Sequence, residues 1–253
     1  MRHRITVVVL TTCRTSLLRA LRSVFGQSLR EPMQVLIGVD RDPDRRLPVL
    51  FETLRRECPT HITLSLLNMG YSTSVRHGGP HASHFGGSLR SAMTFLADSN
   101  IVTYLDDDDW FAPDHCERIL AAIHGKSWAY TYSIYADGNT GQGLCVDEIE
   151  SVGVSRGVYA QAFGGFVRPS GLTIDKLKVL HLVHVWSQAK WETGDGEDRL
   201  LFDQLCHLPH GCTEAATVYA AIDPKDDLHE FRLKFIRSKG IDVEIGARID
   251  SNR

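Results

Sequence analysis

Apolar positions along this chain follow two rhythms. Continuous β-branched or aliphatic runs at 5–10, 35–39 and 101–105 predict strands buried on both faces, and 62–67 predicts another. Between them the spacing turns helical. Leu17, Leu18, Leu21, Val24 and Phe25 line one face of a helix over 16–27. Further helices are predicted over 48–56 and 88–97, and around Ile119, Leu120 and Ile123, with Asp114 at the capping position. Strands alternating with helices predict an α/β fold: a mostly parallel central sheet flanked by helices. The stretch 70–87 holds five glycines and little apolar content, so it predicts a loop. The stretch 128–167 predicts short strands and loops of weak register. An apolar run at 177–185, a polar turn at 194–198 and a helix over 199–208 follow. The end, 225–253, is charged around one amphipathic segment (Leu228, Phe231, Phe235, Ile236). No repeat or linker interrupts the chain, so a single domain is expected.

Composition narrows this further. The 253 residues are 43% hydrophobic and 23% charged, which excludes a disordered or low-complexity chain. A net charge of −3 gives no global electrostatic case for binding nucleic acid. No stretch approaches the roughly 20 apolar residues of a transmembrane helix. The basic start, Arg2 to Arg4, precedes too short an apolar run for a signal peptide and reads as the approach to the first strand. The six cysteines form no C-x-x-C pair and read as reduced thiols, mostly buried packing residues, in a cytoplasmic protein.

The strongest chemical signal is the run Asp106, Asp107, Asp108 and Asp109 directly after a predicted strand. Four adjacent carboxylates repel one another unless a cation or solvent compensates them. The carboxyl ends of strands are where open α/β sheets bind ligands, and Mg²⁺ or Mn²⁺ takes one or two carboxylates plus phosphate oxygens. The run therefore reads as a metal–diphosphate site or as a solvated acidic turn. Asp40 ends another strand and is a candidate acceptor for a base N–H or a ribose hydroxyl. The turn Gly86-Gly87-Ser88 with Arg90 suits a phosphate. The loop at 70–87, with His77, His81 and His84, reads equally as a mobile substrate cover or as a metal site, although its spacing fits no zinc pattern. Glu197 and Asp198 open a predicted helix, where they complement its dipole or supply a general base. Trp191 offers a face for a sugar ring or packs in the core.

Together these residues resemble family 2 of the GT-A glycosyltransferases, across 5–123 and at one later motif. The opening Ile5 to Arg14 resembles that family's first strand and its Pro-Thr-Tyr-Asn-Arg turn, matching at Thr11 and Arg14 and departing at Leu10, Thr12 and Cys13. Ser23 to Ser28 resembles the "SVLAQT" segment. Asp40 and Asp44 resemble an Asp-Asp-Gly-Ser-x-Asp turn, with Asp40 alone matching its aspartate pair. Arg90 falls at the arginine of an Ala-Arg-Asn motif, with Ser91 in place of the Asn. Leu105 to Trp110 with Pro113 matches "LDxDDW…P", and Gly196-Glu197-Asp198 resembles the later Glu-Asp motif.

The resemblance implies a single GT-A (Rossmann-like) domain over 1–253: a nucleotide-binding half at 1–125, an acceptor-binding half at 126–223 and a charged C-terminal segment at 224–253. It implies that Thr11, Arg14, Asp40, Arg90, Asp106 and Asp107 bind the nucleotide. Asp108 would ligate Mn²⁺ or Mg²⁺, Glu197 and Trp191 would contact the acceptor, and Asp198 would be the catalytic base. His207 or His210 is a further candidate metal ligand. The implied activity is metal-dependent, inverting transfer of a sugar from a nucleotide-diphosphate donor, UDP-linked by preference, to a sugar, glycan or lipid-linked acceptor. The expected location is cytoplasmic, with peripheral membrane contact through the C-terminal segment as an option. Two rivals stand beside it. A sugar nucleotidyltransferase would need a glycine-rich loop after the first strand, which Thr11 to Arg14 does not supply. A non-catalytic nucleotide-sugar-binding module would not need the intact Asp106, Asp108 and Asp198.

Overall fold

The computed structural model describes residues 2–243 and 245. A nine-stranded sheet runs in the order β3-β2-β1-β4-β10-β6-β11-β5, with β7 paired to β6. Its first half is the expected parallel one. Strands β1 (Ile5–Thr11), β2 (Met33–Val39), β3 (Ile62–Asn68) and β4 (Ile101–Asp106) pair in parallel. Every residue of β1 and β2 is buried, because helices cover both faces. Ile5, Val7 and Val9 join the core beneath α1 (Ser16–Phe25), α2 (Leu47–Glu57) and α4 (His115–Ala122). Val8 and Leu10 join the opposite core beneath α3 (Gly87–Leu96) and α6 (Glu197–Leu205). Asp114 makes no capping hydrogen bond at α4 and pairs with Arg118 instead.

The second half is more regular than its sequence pattern predicts. β6 (Trp128–Ala136) is a nine-residue strand, and β11 (His210–Ala221), which the pattern did not reveal, has twelve residues. β11 runs parallel to β6 with register shifts between Cys212 and Val218, so its alternation is broken. β10 (Leu172–Asp175) lies antiparallel between β4 and β6. β5 (Trp110–Phe111) and β7 (Gly143–Val146) also run against their neighbours, so six of the nine strands point one way. A separate ribbon joins β8 (Gly153–Val154) to β9 (Gly165–Phe166), with the single-turn α5 (Ala160–Phe163) between them. The apolar run near 180 is a 3₁₀ helix (Leu180–Ser187) packed against α3.

Helix α7 (His229–Ser238) carries the amphipathic segment. Leu233 and Ile236 pack with Tyr135 and Ile222, while Arg232 reaches the buried Glu150 at 2.6 Å. Residues 244 and 246–253 of the charged C-terminal segment lie outside the described residues. All six cysteines are free thiols; Cys13 and Cys116 are buried and the rest are half-buried. No helix among the described residues is long and apolar enough to cross a membrane.

Parallel register sets the place of the chemistry. Leu10 pairs with Asp106 and Thr11 with Val39, so Thr11, Asp40 and the acidic run share the carboxyl edge of the sheet. Because β10 runs the other way, its beginning lies at that same edge. It brings Ser170, in the 3₁₀ turn Pro169–Gly171, under the acidic run.

Candidate functional site

The acidic run is a tight turn held from several sides. The Asp109 amide donates to the Asp106 carbonyl at 3.1 Å. Asp107 is 2% exposed. Its carboxylate accepts from the Thr11 hydroxyl at 2.6 Å, from the Thr12 amide at 3.3 Å and from the Arg14 guanidinium. Arg14 also reaches Asp108 at 3.2 Å. Asp106 accepts from Arg90 at 2.8 Å, and Arg90 lies 4.5 Å from the centre of the Trp186 ring. Ser170 donates to Asp109 at 2.6 Å and accepts the Asp106 amide at 3.1 Å, while the Ala221 amide donates to the other Asp109 oxygen at 3.0 Å. Burial first, and then the charges of Asp108 and Asp106, push the Asp109 carboxyl up to about 7, against the pull of Arg168 and the Ser170 hydrogen bond. Asp109 therefore anchors the turn, whereas the Asp106 and Asp108 side chains stay partly exposed, at 34% and 20%.

Asp40 is buried beside a cleft of about 270 Å³ lined by Arg41, Asn68, Tyr71 and Ser72 among others. One of its oxygens accepts from the Ser72 hydroxyl at 2.9 Å and the Thr73 amide at 3.3 Å. The larger cavity, about 420 Å³ between Arg2, His3, Gln34, Thr63 and Asp98, lies at the opposite edge of the sheet.

The loop at 70–87 is folded across the site. Ser74 bridges to His81, Ser72 holds Asp40, and the His84 amide donates to the Gly194 carbonyl at 2.8 Å. It thus links the Asp40 cleft to the turn preceding Glu197. No group of three or more His, Cys, Asp or Glu side chains assembled for a metal occurs among the described residues. Gly87 allows α3 to begin here, because a Cβ at that position would lie 1.8 Å from the Trp186 carbonyl oxygen. Gly87→Ala must displace the 3₁₀ helix, and we expect it to cost about 1–3 kcal/mol, read as a lowered melting temperature.

Glu197 and Asp198 occupy the first turn of α6. Gly196, at φ 85°, makes the left-handed turn before them, and any Cβ there would strike the Trp191 ring. Trp191 is therefore beside the Glu-Asp pair and 44% exposed, not a core residue, with its ring edge-on to Phe163 at 6.3 Å. Asp198 is partly exposed and accepts the Arg199 amide at 2.7 Å. The Arg199 guanidinium stacks on Phe166 and Tyr159, at 3.3 and 4.0 Å from the ring centres, which ties α6 to the 159–166 segment. Glu197 is 4% exposed, and its Oε2 finds no hydrogen-bond partner among the described residues. Burial first, and then the Asp198 charge, push its carboxyl up to about 8, while Arg90 opposes the shift.

That shift has a sign. Glu197 holds its proton more tightly folded than unfolded, so its contribution to stability is fully present below the ordinary carboxylate range. It is lost as pH rises from about 4.5 through about 8. Glu197→Gln should therefore melt higher than the wild type at pH 8, by a margin of about 4 kcal/mol in unfolding free energy, and the margin should vanish near pH 4. Denaturant titrations at the two pH values check this.

Of the expected site residues, the structure brings Thr11, Arg14, Asp40, Arg90 and Asp106 to Asp108 to one edge, with Glu197, Asp198 and Trp191 across the folded loop. Arg14 is turned onto Asp107 and Asp108. His207 and His210 do not join them. His207 is exposed after α6, and His210 pairs in register with Trp128 at the amino end of β6, packing on the Trp128 ring at 5.0 Å. A parallel strand that starts at the far edge cannot place its first residue at the acidic run, so His210 does not reach it. Sequence reasoning missed Ser72, Ser170, Trp186 and the Ala221 amide, none of which stands in a local pattern.

An α/β sheet of this order, flanked by helices on both faces, matches a Rossmann-like glycosyltransferase fold. No protein-family model and no curated protein sequence matches the chain. Solved structures do. The chain is similar to S. aureus TarS 1-349 in complex with UDP-GlcNAc (TM-score 0.61, 15% identity, 95% of this chain and 68% of that one). It is similar to the same protein in complex with UDP (TM-score 0.59, 17% identity, 95% and 67%). It is also similar to the mannosyltransferase PcManGT from Pyrobaculum calidifontis in complex with GDP-Man and Mn²⁺ (TM-score 0.59, 14% identity, 97% and 66%). Against the longer S. aureus TarS structure it spans 40% of that chain.

Proposed function

We propose that this protein is a family 2 glycosyltransferase: an inverting, metal-dependent enzyme that moves a sugar from a nucleotide-diphosphate donor to an acceptor hydroxyl. The observation that carries the reading is the meeting, at one sheet edge, of Asp40 beside a cleft, the Asp106–Asp109 turn and the Glu197-Asp198 pair. The neighbours crystallised with UDP, UDP-GlcNAc and GDP-Man share this fold and support a nucleotide sugar as the donor. We favour UDP because Asp40 matches the uracil-reading aspartate of the resembled family. In this reading the base and ribose occupy the cleft beside Asp40, Asn68 and Tyr71, and Asp106 and Asp107 border the ribose and diphosphate.

Asp108 would hold a divalent cation. One partly exposed carboxylate is a poor cage alone but suits Mg²⁺ or Mn²⁺, which commonly takes one or two carboxylates and completes its shell with phosphate oxygens and water. Such an ion, when bound, offsets the charge that grows on the departing diphosphate. The chain's own residues do the rest. Asp198 takes the proton from the acceptor hydroxyl as that oxygen attacks the anomeric carbon from the side opposite the leaving group, which inverts the centre. Glu197, neutral near pH 7 by its raised pKa, donates a hydrogen bond to a sugar hydroxyl. Trp191 offers its exposed ring to the acceptor. The halves at 1–125 and 126–223 then divide the work between donor and acceptor.

The test is calorimetric titration of UDP and GDP with and without Mn²⁺, followed by a screen of UDP-sugars for hydrolysis or transfer. Mn²⁺-dependent binding that prefers UDP supports the reading. Binding of neither nucleotide in either condition refutes it.

A further inference from the structure

Every carboxylate of the acidic run is already engaged within the protein. Asp106 has Arg90, Asp107 and Asp108 share Arg14, and Asp109 has Ser170 and the Ala221 amide. The run is compensated by arginine, at the position where a cation would be expected to compensate it. The two contacts of Arg14 differ. Its partner Asp107 is 2% exposed and is also held by Thr11 and Thr12. Its partner Asp108 is 20% exposed and lies at 3.2 Å, the geometry of a weaker, partly solvated ion pair. Burial opposes the charge on Arg14, but Asp108 and Asp107 outweigh it and keep the guanidinium protonated. Guanidinium forks prefer two phosphate oxygens to one partly solvated carboxylate.

We propose that Arg14 is the resting counter-ion of Asp108, and that a divalent cation reaches Asp108 only together with a nucleoside diphosphate whose phosphates draw the guanidinium away. The proposal rests on the transferase reading above, and makes it specific: metal and nucleotide bind as a coupled pair, and Arg14 is the residue that couples them. Asp107 stays in place as the pivot, since two other donors hold it. Without nucleotide, a cation approaching Asp108 meets a fixed positive charge within about 4 Å, where repulsion between unit charges is large.

The test follows the Mn²⁺ electron paramagnetic resonance signal, which free Mn²⁺ gives and bound Mn²⁺ loses, in titrations of the whole protein with and without UDP, corrected for Mn²⁺ held by UDP alone. We expect the wild type to take up Mn²⁺ at least about tenfold more tightly with UDP than without. Arg14→Gln should bind Mn²⁺ without UDP about tenfold or more tighter than the wild type, and Arg14→Lys, which keeps the charge, should stay close to the wild type. Equal Mn²⁺ affinity of the wild type with and without UDP overturns the proposal. So does an Arg14→Gln protein, folded by its melting curve, whose nucleotide-free Mn²⁺ affinity is no tighter than the wild type's. The wild-type arm needs no variant, so a poorly folding Arg14→Gln leaves the test intact. UDP that binds without this coupling sinks the Arg14 proposal and leaves the transferase reading standing. UDP that does not bind at all sinks the reading itself, and both follow from separate measurements.

Discussion

Asp198→Asn is expected to lower the turnover number by about a thousandfold or more, the usual worth of a positioned general base, while the UDP dissociation constant stays within twofold of the wild type. The separation follows from where Asp198 sits. It is in the first turn of α6 and partly exposed, and its one hydrogen bond is to the Arg199 amide beside it. That bond involves neither Asp40 nor the acidic run, so an amide there leaves the cleft beside Asp40 unchanged. Asn is isosteric and accepts the same amide hydrogen bond, so the fold is preserved, but it cannot take a proton at neutral pH. The decisive measurement is single-turnover transfer against UDP binding in the same preparation. Transfer at the wild-type rate would place the base elsewhere, and Glu197, with its raised pKa, would be the next residue to examine.

Asp108→Ala is expected to remove the effect of Mn²⁺ on nucleotide binding. Loss of a direct metal ligand should cost at least the roughly 10- to 100-fold that outer-shell changes already cost at metal sites, so UDP should bind with one weak affinity in Mn²⁺ or in EDTA. The variant should fold, because Asp108 is only partly buried and the buried members of the run, Asp107 and Asp109, keep their own partners. Removing it leaves Arg14 on Asp107, and leaves Ser170 and Ala221 on Asp109. The complementary change at Ser170 acts on the turn itself and would be read in stability before binding. Calorimetry with and without chelator separates these cases. An undiminished Mn²⁺ effect in Asp108→Ala would remove that residue from the ligand set.

Much of the site was legible because its parts are local. A buried apolar run ending in Asp is visible as sequence at 35–40 and again at 101–109. The Glu-Asp pair needs only its place at the head of a helix. The positioning residues were not legible, and the reason is geometric. Ser170 reaches the acidic run because β10 is inserted antiparallel beside β4, a choice no residue near 170 announces. Ala221 reaches Asp109 because β11 runs parallel to β6 through a broken register, which erased the alternation that would have marked the strand. Trp186 lies under Arg90 through packing of the 3₁₀ helix on α3.

His210 shows the same limit from the other side. It follows the Glu-Asp motif closely in sequence, yet the start of a parallel strand carries it to the opposite edge of the sheet. Sequence by itself determined which segments become strands and helices in the first half, that two strands end in aspartate, and which residue types stand at those ends, because these depend on side-chain period and type. Tertiary structure decided the rest: that the acidic run is compensated by Arg14 and Arg90, that the 70–87 loop closes against Gly194, and that His210 lies at the opposite edge of the sheet. Those outcomes depend on strand order and direction, which bring residues 61 to 112 positions apart within hydrogen-bond distance and which no local pattern encodes.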